Sequence, residues 1–269
     1  MKKTNISALL LAALLLIQLL CAPVSAVTAE PAADAQADAQ TATDNSAKDA
    51  AAADDSVPED QLLSSREQFS VAAKAALLID LNTNRVVYEQ DADERVYPAS
   101  LTKIMTCLIA LENGNLSDVV TVSESALADL DEDSSVAGLV VGEQMTLENL
   151  LYCMMVVSGN DACNVIAEHV AGSVTDFVRM MNQRAYELGC TNTHFNNPHG
   201  LHDESHYTTA RDLAIITQAA LKSENFRQIV DTYEYKLPDD NMRQNIPKLK
   251  TTNMLIYQSM SNSLYYPRA

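Results

Sequence analysis

Pro98-Ala99-Ser100-Leu101-Thr102-Lys103 opens an apolar stretch that runs on through Ile104, Met105, Cys107, Leu108, Ile109 and Leu111 to Gly114. Proline breaks the preceding chain and glycine marks a stop, so the spacing predicts a helix between them. It is apolar nearly all round, which predicts that it is buried. Side chains three apart share a helix face, so Ser100 and Lys103 are presented together at the mouth of that helix. A serine hydroxyl alone is a poor nucleophile, and an adjacent base activates it. Ser100 as nucleophile and Lys103 as its base are therefore the first candidate site residues.

Outward from this helix, Ala73 to Gln90 reads as a hairpin turning at Asn82-Thr83-Asn84. Thr146 starts a second apolar helix, which breaks at Ser158-Gly159-Asn160 and resumes from Asp161 to Val170. Gly159 is read as permitting a sharp backbone turn there. Ser173 caps a helix to Leu188, and Thr209 opens another through Leu221. Strand-like fragments follow at Tyr233-Glu234-Tyr235-Lys236-Leu237 and Met254-Leu255-Ile256-Tyr257. Strands at both ends around a helical middle predict an α/β sandwich whose sheet gathers strands from both ends of the chain.

The first 26 residues read as an export signal. Lys2 and Lys3 are followed by an apolar run from Ala8 to Leu20, and Val24-Ser25-Ala26 is a small-x-small cleavage site. Residues 27–68 read as an acidic, Ala-rich linker. From Val27 to Asp60 there are nine acidic residues against Lys48, a net of −8 out of the chain's −18. Such a segment buries too little apolar surface to offset its ordering entropy. The acidic balance argues against nucleic acid or an anionic membrane surface as partner. Residues 69–269 are enough for one domain with a real core. Cys107, Cys153 and Cys163 lie in apolar helical patterns, as small hydrophobes do. No C-x-x-C motif or metal spacing accompanies them or Cys190.

Three motifs now stand in order: Pro98-Ala-Ser-Leu-Thr-Lys-Ile-Met-Thr, Leu150-Leu-Tyr-Cys-Met-Met-Val-Val-Ser-Gly-Asn-Asp-Ala and Asn197-Pro-His-Gly-Leu-His-Asp. From about Ala75 onward the chain resembles the D-alanyl-D-alanine carboxypeptidases, the low-molecular-mass penicillin-binding proteins. The fold this implies is α/β. It is a β-lactamase/transpeptidase-like sandwich of an antiparallel sheet with helices on both faces plus a helical subdomain. By the resemblance, Ser100 attacks the carbonyl between two D-alanines of a peptidoglycan stem peptide and forms an acyl-enzyme. Lys103 serves as general base, Ser158 relays the proton to the leaving amine, and Asn160 holds Lys103 and the substrate amide. Water then releases the shortened peptide, and β-lactam antibiotics stop at the acyl-enzyme. No metal or cofactor is needed. The mature protein is expected outside the cytoplasmic membrane, with membrane contact only through an uncleaved signal or a C-terminal anchor beyond the sequence.

The family's third motif, Lys-Thr-Gly, has no counterpart. Lys250-Thr251-Thr252 lacks the glycine, and Thr252-Asn253-Met254-Leu255 resembles the family segment that comes before that motif. The expectation is a truncated domain with its C-terminal strands missing, and a poor enzyme as it stands. A D,D-endopeptidase shares every motif visible here. Class A β-lactamases carry Ser-Asp-Asn as second motif, where this chain has Gly159. A non-catalytic exported protein that binds cell wall is the reading from another class. His199, His202 and His206 invite a metal reading, but they fall in a Pro/Gly loop that the resemblance accounts for without metal. His169 reads as a helix-surface residue.

Overall fold

The computed structural model describes residues 71–128, 130, 134–253 and 256. The predicted signal (1–26) and the whole of the linker (27–68) lie outside the described residues. Strands β1 (Ala76–Asp80) and β2 (Arg85–Gln90) form the expected hairpin. Asp80 Oδ1 accepts from the Asn82 N–H at 2.8 Å, closing the turn, and Asn84 takes φ 56°. The chain then bridges to the segment before Thr209. Val96 and Thr208 exchange both backbone hydrogen bonds at 2.9 Å.

A 3-10 turn, Ala99–Thr102, follows and leads into α1 (Lys103–Asn113). Ser100 thus sits on a tight turn ahead of the α-helix rather than within it. Helix α1 is buried as predicted, with Met105, Cys107 and Ala110 fully enclosed. Gly114 ends it, with an extended φ of −105°. A Cβ there would lie 2.4 Å from Leu147 Cδ2, so close packing is what requires the glycine.

Strand β3 (Val119–Thr121) and a short helix, α2 (Glu124–Ala128), precede β4 (Gln144–Thr146), which pairs with β3. Helices α3 (Leu147–Val156), α4 (Asn160–Ala171) and α5 (Val174–Glu187) pack in sequence around α1. Helix α6 (Ala210–Ala220) closes the other side, touching both α1 and β1. Thr146, Ser173 and Thr209 each accept from the backbone N–H three residues on, as their sequence positions predict. Helix α7 (Glu224–Val230) and strands β5 (Glu234–Tyr235) and β6 (Leu249–Lys250) complete the described elements.

Among the described residues the strands form three separate antiparallel pairs, β1–β2, β3–β4 and β5–β6. The expected single sheet drawing on both ends of the chain is not formed by these residues. β2 leads straight into the Val96–Thr208 bridge, and β5 pairs only with β6. Of the second expected fragment, Met254, Leu255 and Tyr257 lie outside the described residues. All four described cysteines are buried free thiols. No described helix is long and apolar enough to cross a membrane.

Candidate active site

Two backbone turns place the hydroxyls. Ala99, just before Ser100, has φ 49°, and Ser158 has φ 60°. Both are left-handed conformations that non-glycine residues adopt at a cost. Gly159, expected to supply the sharp turn, has an ordinary φ of −63°. Ser158 makes the turn instead. It brings its Oγ within 3.0 Å of Ser100 Oγ, to which it donates.

Lys103 is only 2% exposed. Its Nζ reaches Asn160 Oδ1 at 2.7 Å, the His199 carbonyl at 2.8 Å and Ser100 Oγ at 3.3 Å. Two of these partners can only accept. A neutral amine has two protons and one lone pair, so those protons go to Asn160 and His199 and the lone pair faces the Ser100 hydroxyl. Burial pushes the Lys103 amine below its ordinary 10.5, against the opposing pull of Cys163 and Asp161 nearby. With the amine neutral, Ser158 O–H to Ser100 Oγ and Ser100 O–H to Lys103 Nζ form a ready path for a proton. The structure thus brings together all four predicted residues, from turns 58 positions apart.

Several supporting groups were not evident from the motifs. The segment around residues 196–208 clamps the start of α1. Thr106 Oγ1 donates to the Pro198 carbonyl at 2.6 Å, one turn beyond the Lys103–His199 contact. Asn197 Oδ1 accepts from the Gly200 N–H at 2.6 Å, fixing the turn that aims those carbonyls. The Asn-Pro-x-Gly pattern was the available signal for it. His206 Nδ1 accepts from the Asn196 N–H at 3.0 Å, so the neutral ring carries its proton on Nε2 and donates it to Thr102 Oγ1 at 2.8 Å. Burial lowers both His199 and His206 to about 4. Proximity to Lys103 adds to the effect at His199. His202 is exposed, edge-on to Tyr97. His169 lies on α4 within 3.2 Å of Asp118. Among the described residues no three His, Cys, Asp or Glu side chains are grouped to hold a metal ion.

A helix-rich α/β domain carrying a nucleophilic-type serine, a buried lysine one turn on and a Ser-x-Asn turn facing both belongs to the serine/lysine class of acyl-transfer folds. Sequence comparison makes this specific: the profile of the D-alanyl-D-alanine carboxypeptidase family matches residues 62–264, and the chain belongs to that family. The chain is 42% identical to D-alanyl-D-alanine carboxypeptidase DacF of Bacillus subtilis over 192 residues, covering 68% of this chain and 47% of that protein. It is 40% identical to DacC of Escherichia coli over 163 residues, 58% of this chain and 41% of the relative. The chain thus spans about half the length of the curated relatives it matches. The crystal structure of the Streptomyces K15 DD-transpeptidase superposes with a TM-score of 0.64 at 32% identity, over 70% of this chain and 76% of that one. Penicillin-binding protein 5 from Haemophilus influenzae gives a TM-score of 0.61 at 34% identity, over 68% and 53%.

Proposed function

We propose that this protein is a serine-type D-Ala-D-Ala carboxypeptidase that trims peptidoglycan stem peptides through an acyl-enzyme on Ser100 and is trapped there by β-lactams. The observation that carries this is the buried Lys103 amine 3.3 Å from Ser100 Oγ, whose other two partners can only accept, so that in its neutral form the lone pair is left for the Ser100 hydroxyl. Ser100 Oγ adds to the carbonyl of the penultimate D-alanine while its proton passes to Lys103 Nζ. The bond to the terminal D-alanine then breaks. Its nitrogen takes the proton back from Lys103 by way of Ser158 Oγ, which touches the nucleophile. Asn160 keeps its oxygen on Lys103, leaving its amide N–H₂ for the substrate. Water, deprotonated by the same amine, adds to the acyl carbon and releases Ser100.

The family match and the relatives' being D-alanyl-D-alanine carboxypeptidases support the substrate class. Export to the outer face of the cytoplasmic membrane or the cell wall is part of the proposal. It rests on the Lys2/Lys3, Ala8–Leu20 and Val24-Ser25-Ala26 pattern, as does the division into signal, linker and domain. The test is the intact mass of the protein after exposure to penicillin, with Ser100→Ala beside it. An adduct on the wild type alone is the expected result. An equal adduct on both, or release of D-alanine from a D-Ala-D-Ala peptide by the variant, would overturn the assignment.

A further inference from the structure

Asp161 follows the Ser-Gly-Asn turn, is 2% exposed and binds the backbone of residues 137–139. Its two oxygens accept four backbone N–H groups. Oδ1 takes those of Ala137 and Ala162, both at 2.9 Å, and Oδ2 takes those of Gly138 at 2.9 Å and Leu139 at 3.0 Å. The same two segments are joined once more by the Asn160 N–H, which donates to the Ser135 carbonyl at 2.8 Å. A Cβ on Gly159 would stand 2.8 Å from Asp161 Oδ1. The φ of Gly159 is ordinary, and the same Cβ would stand 3.1 Å from the Ala137 nitrogen and the Cys153 carbonyl oxygen, so the glycine serves close packing around this carboxylate.

We propose that Asp161 is a positioning residue for the chemistry at Ser100, fixing the Ser158–Asn160 turn against residues 135–139 and setting a negative charge behind Lys103. Only a carboxylate fits. The isosteric amide would turn an N–H₂ toward two N–H donors, losing two of the four bonds and opposing like dipoles. The charged and titratable groups facing Lys103 are Asp161 and Cys163 from α4 and His199 from the loop. Burial pushes the Cys163 thiol up to about 12, and His199 is neutral above its value of about 4. Through neutral pH, Asp161 is therefore the charge among them that favours the ammonium form of Lys103.

This inference rests on the reading of Ser100 as nucleophile, and its test separates the two. The full chain and Asp161→Asn are treated with penicillin and, independently of substrate recognition, with a fluorophosphonate. Labelling rate at Ser100 is followed against pH, together with the melting temperature. Asp161→Asn is expected to lower the plateau rate by ~10–100-fold, the equivalent of one or two lost buried hydrogen bonds. It should also move the rising limb of the profile to lower pH, because the charge holding the Lys103 proton is gone. General loosening of the site would instead relieve the burial and move the limb up. A rate within about threefold of wild type, or a limb that stays or rises, overturns the proposal. If Asp161→Asn does not fold, Gly159→Ala decides: it displaces the carboxylate and keeps its charge, so it should slow labelling with the limb unmoved, and an unslowed variant overturns the proposal. A wild type labelled by the fluorophosphonate but not by penicillin breaks the substrate reading alone. One labelled by neither removes the nucleophile and this inference with it.

Discussion

Residues 99–106 are held from one side by the 196–208 segment, and residues 158–161 from the other by 135–143, and the two clamps use opposite chemistry. The first is built from neutral groups. Backbone carbonyls of Pro198 and His199 receive Thr106 and Lys103, and a neutral His206 donates to Thr102. The second is built from buried carboxylates. Asp161 binds four N–H groups. Glu143, fully buried, binds the Val140 N–H at 3.0 Å and pairs with Arg243, whose Nη1 also donates to the Gly138 carbonyl at 2.8 Å. Burial and its contact with Asp240 raise the Glu143 carboxyl. The difference explains the lysine. A carboxylate in the first clamp would pin the Lys103 proton in place, whereas carbonyls and an amide oxygen satisfy the amine without doing so. In the second clamp Glu143 is paired with Arg243, and Asp161, bonded to N–H donors, acts on the Lys103 amine only through space and not through a hydrogen bond.

The strongest challenge to this picture removes the group the neutral clamp serves. Lys103→Met should lower acylation of Ser100 by about 10³-fold, the scale of a lost general base, with near-ultraviolet circular dichroism retained. Acylation within tenfold of wild type, read by mass spectrometry, would mean that another group takes the proton. Next is Gly200→Ala. Gly200 has φ 93°, and a Cβ there would lie 1.8 Å from the Ala99 carbonyl oxygen and 2.9 Å from Thr102 Oγ1. The loop must move off the nucleophile turn, so a loss of about 2–4 kcal/mol is expected by urea unfolding. An unchanged midpoint would show that the close approach is not needed.

The same contrast separates what could be read in the sequence from what could not. Ser100 and Lys103 were legible because one helical turn joins them locally, and Ser158 and Asn160 because they interrupt an apolar pattern. Helix starts at Thr146, Ser173 and Thr209 were legible for the same local reason. The His199 and Pro198 carbonyls were not, since every residue has a carbonyl and only tertiary placement selects one. Gly159 was misread because a glycine serves a sharp turn and a close packing contact equally well, and the Asp161 oxygen that decides between them comes from the tertiary fold. Helix α7 went unread, although Ser223 caps it by accepting from Phe226 and its Phe226 and Ile229 are buried. The α/β class was legible, but among the described residues the strands stand in three separate pairs, since strand pairing is long-range and the β-patterned fragments carry no label for their partners.

A fall in pH should act on the neutral clamp. His199 and His206 titrate near 4 in the folded protein against an ordinary 6.5, so the unfolded chain binds their protons first. Their neutral form favours the fold fully above pH 6.5, and that advantage is lost as pH falls toward 4. The expected slope is about 1.4 kcal/mol per pH unit for each histidine. Charging His206 also turns Nδ1 from acceptor to donor against the Asn196 N–H. Denaturant midpoints between pH 7 and 4, with His206→Gln removing one of the two contributions, measure the effect. A flat profile would place both rings in solvent-like surroundings and undo the clamp.

The smallest effect tests how far the clamp's contacts are shared. Thr106→Val keeps shape and volume but deletes the 2.6 Å bond to the buried Pro198 carbonyl. That leaves an acceptor unpaired and should cost ~1–2 kcal/mol of stability. Acylation should change by no more than about threefold, the equivalent of ~0.6 kcal/mol. The neighbouring His199 carbonyl keeps its aim independently through Asn197, whose side chain closes the turn on the Gly200 N–H and donates to the Leu201 carbonyl at 2.9 Å. A larger loss of rate at equal stability would show that the two carbonyls move as a unit. In that case the turn at Asn197, rather than the individual hydrogen bonds along α1, sets where Lys103 points.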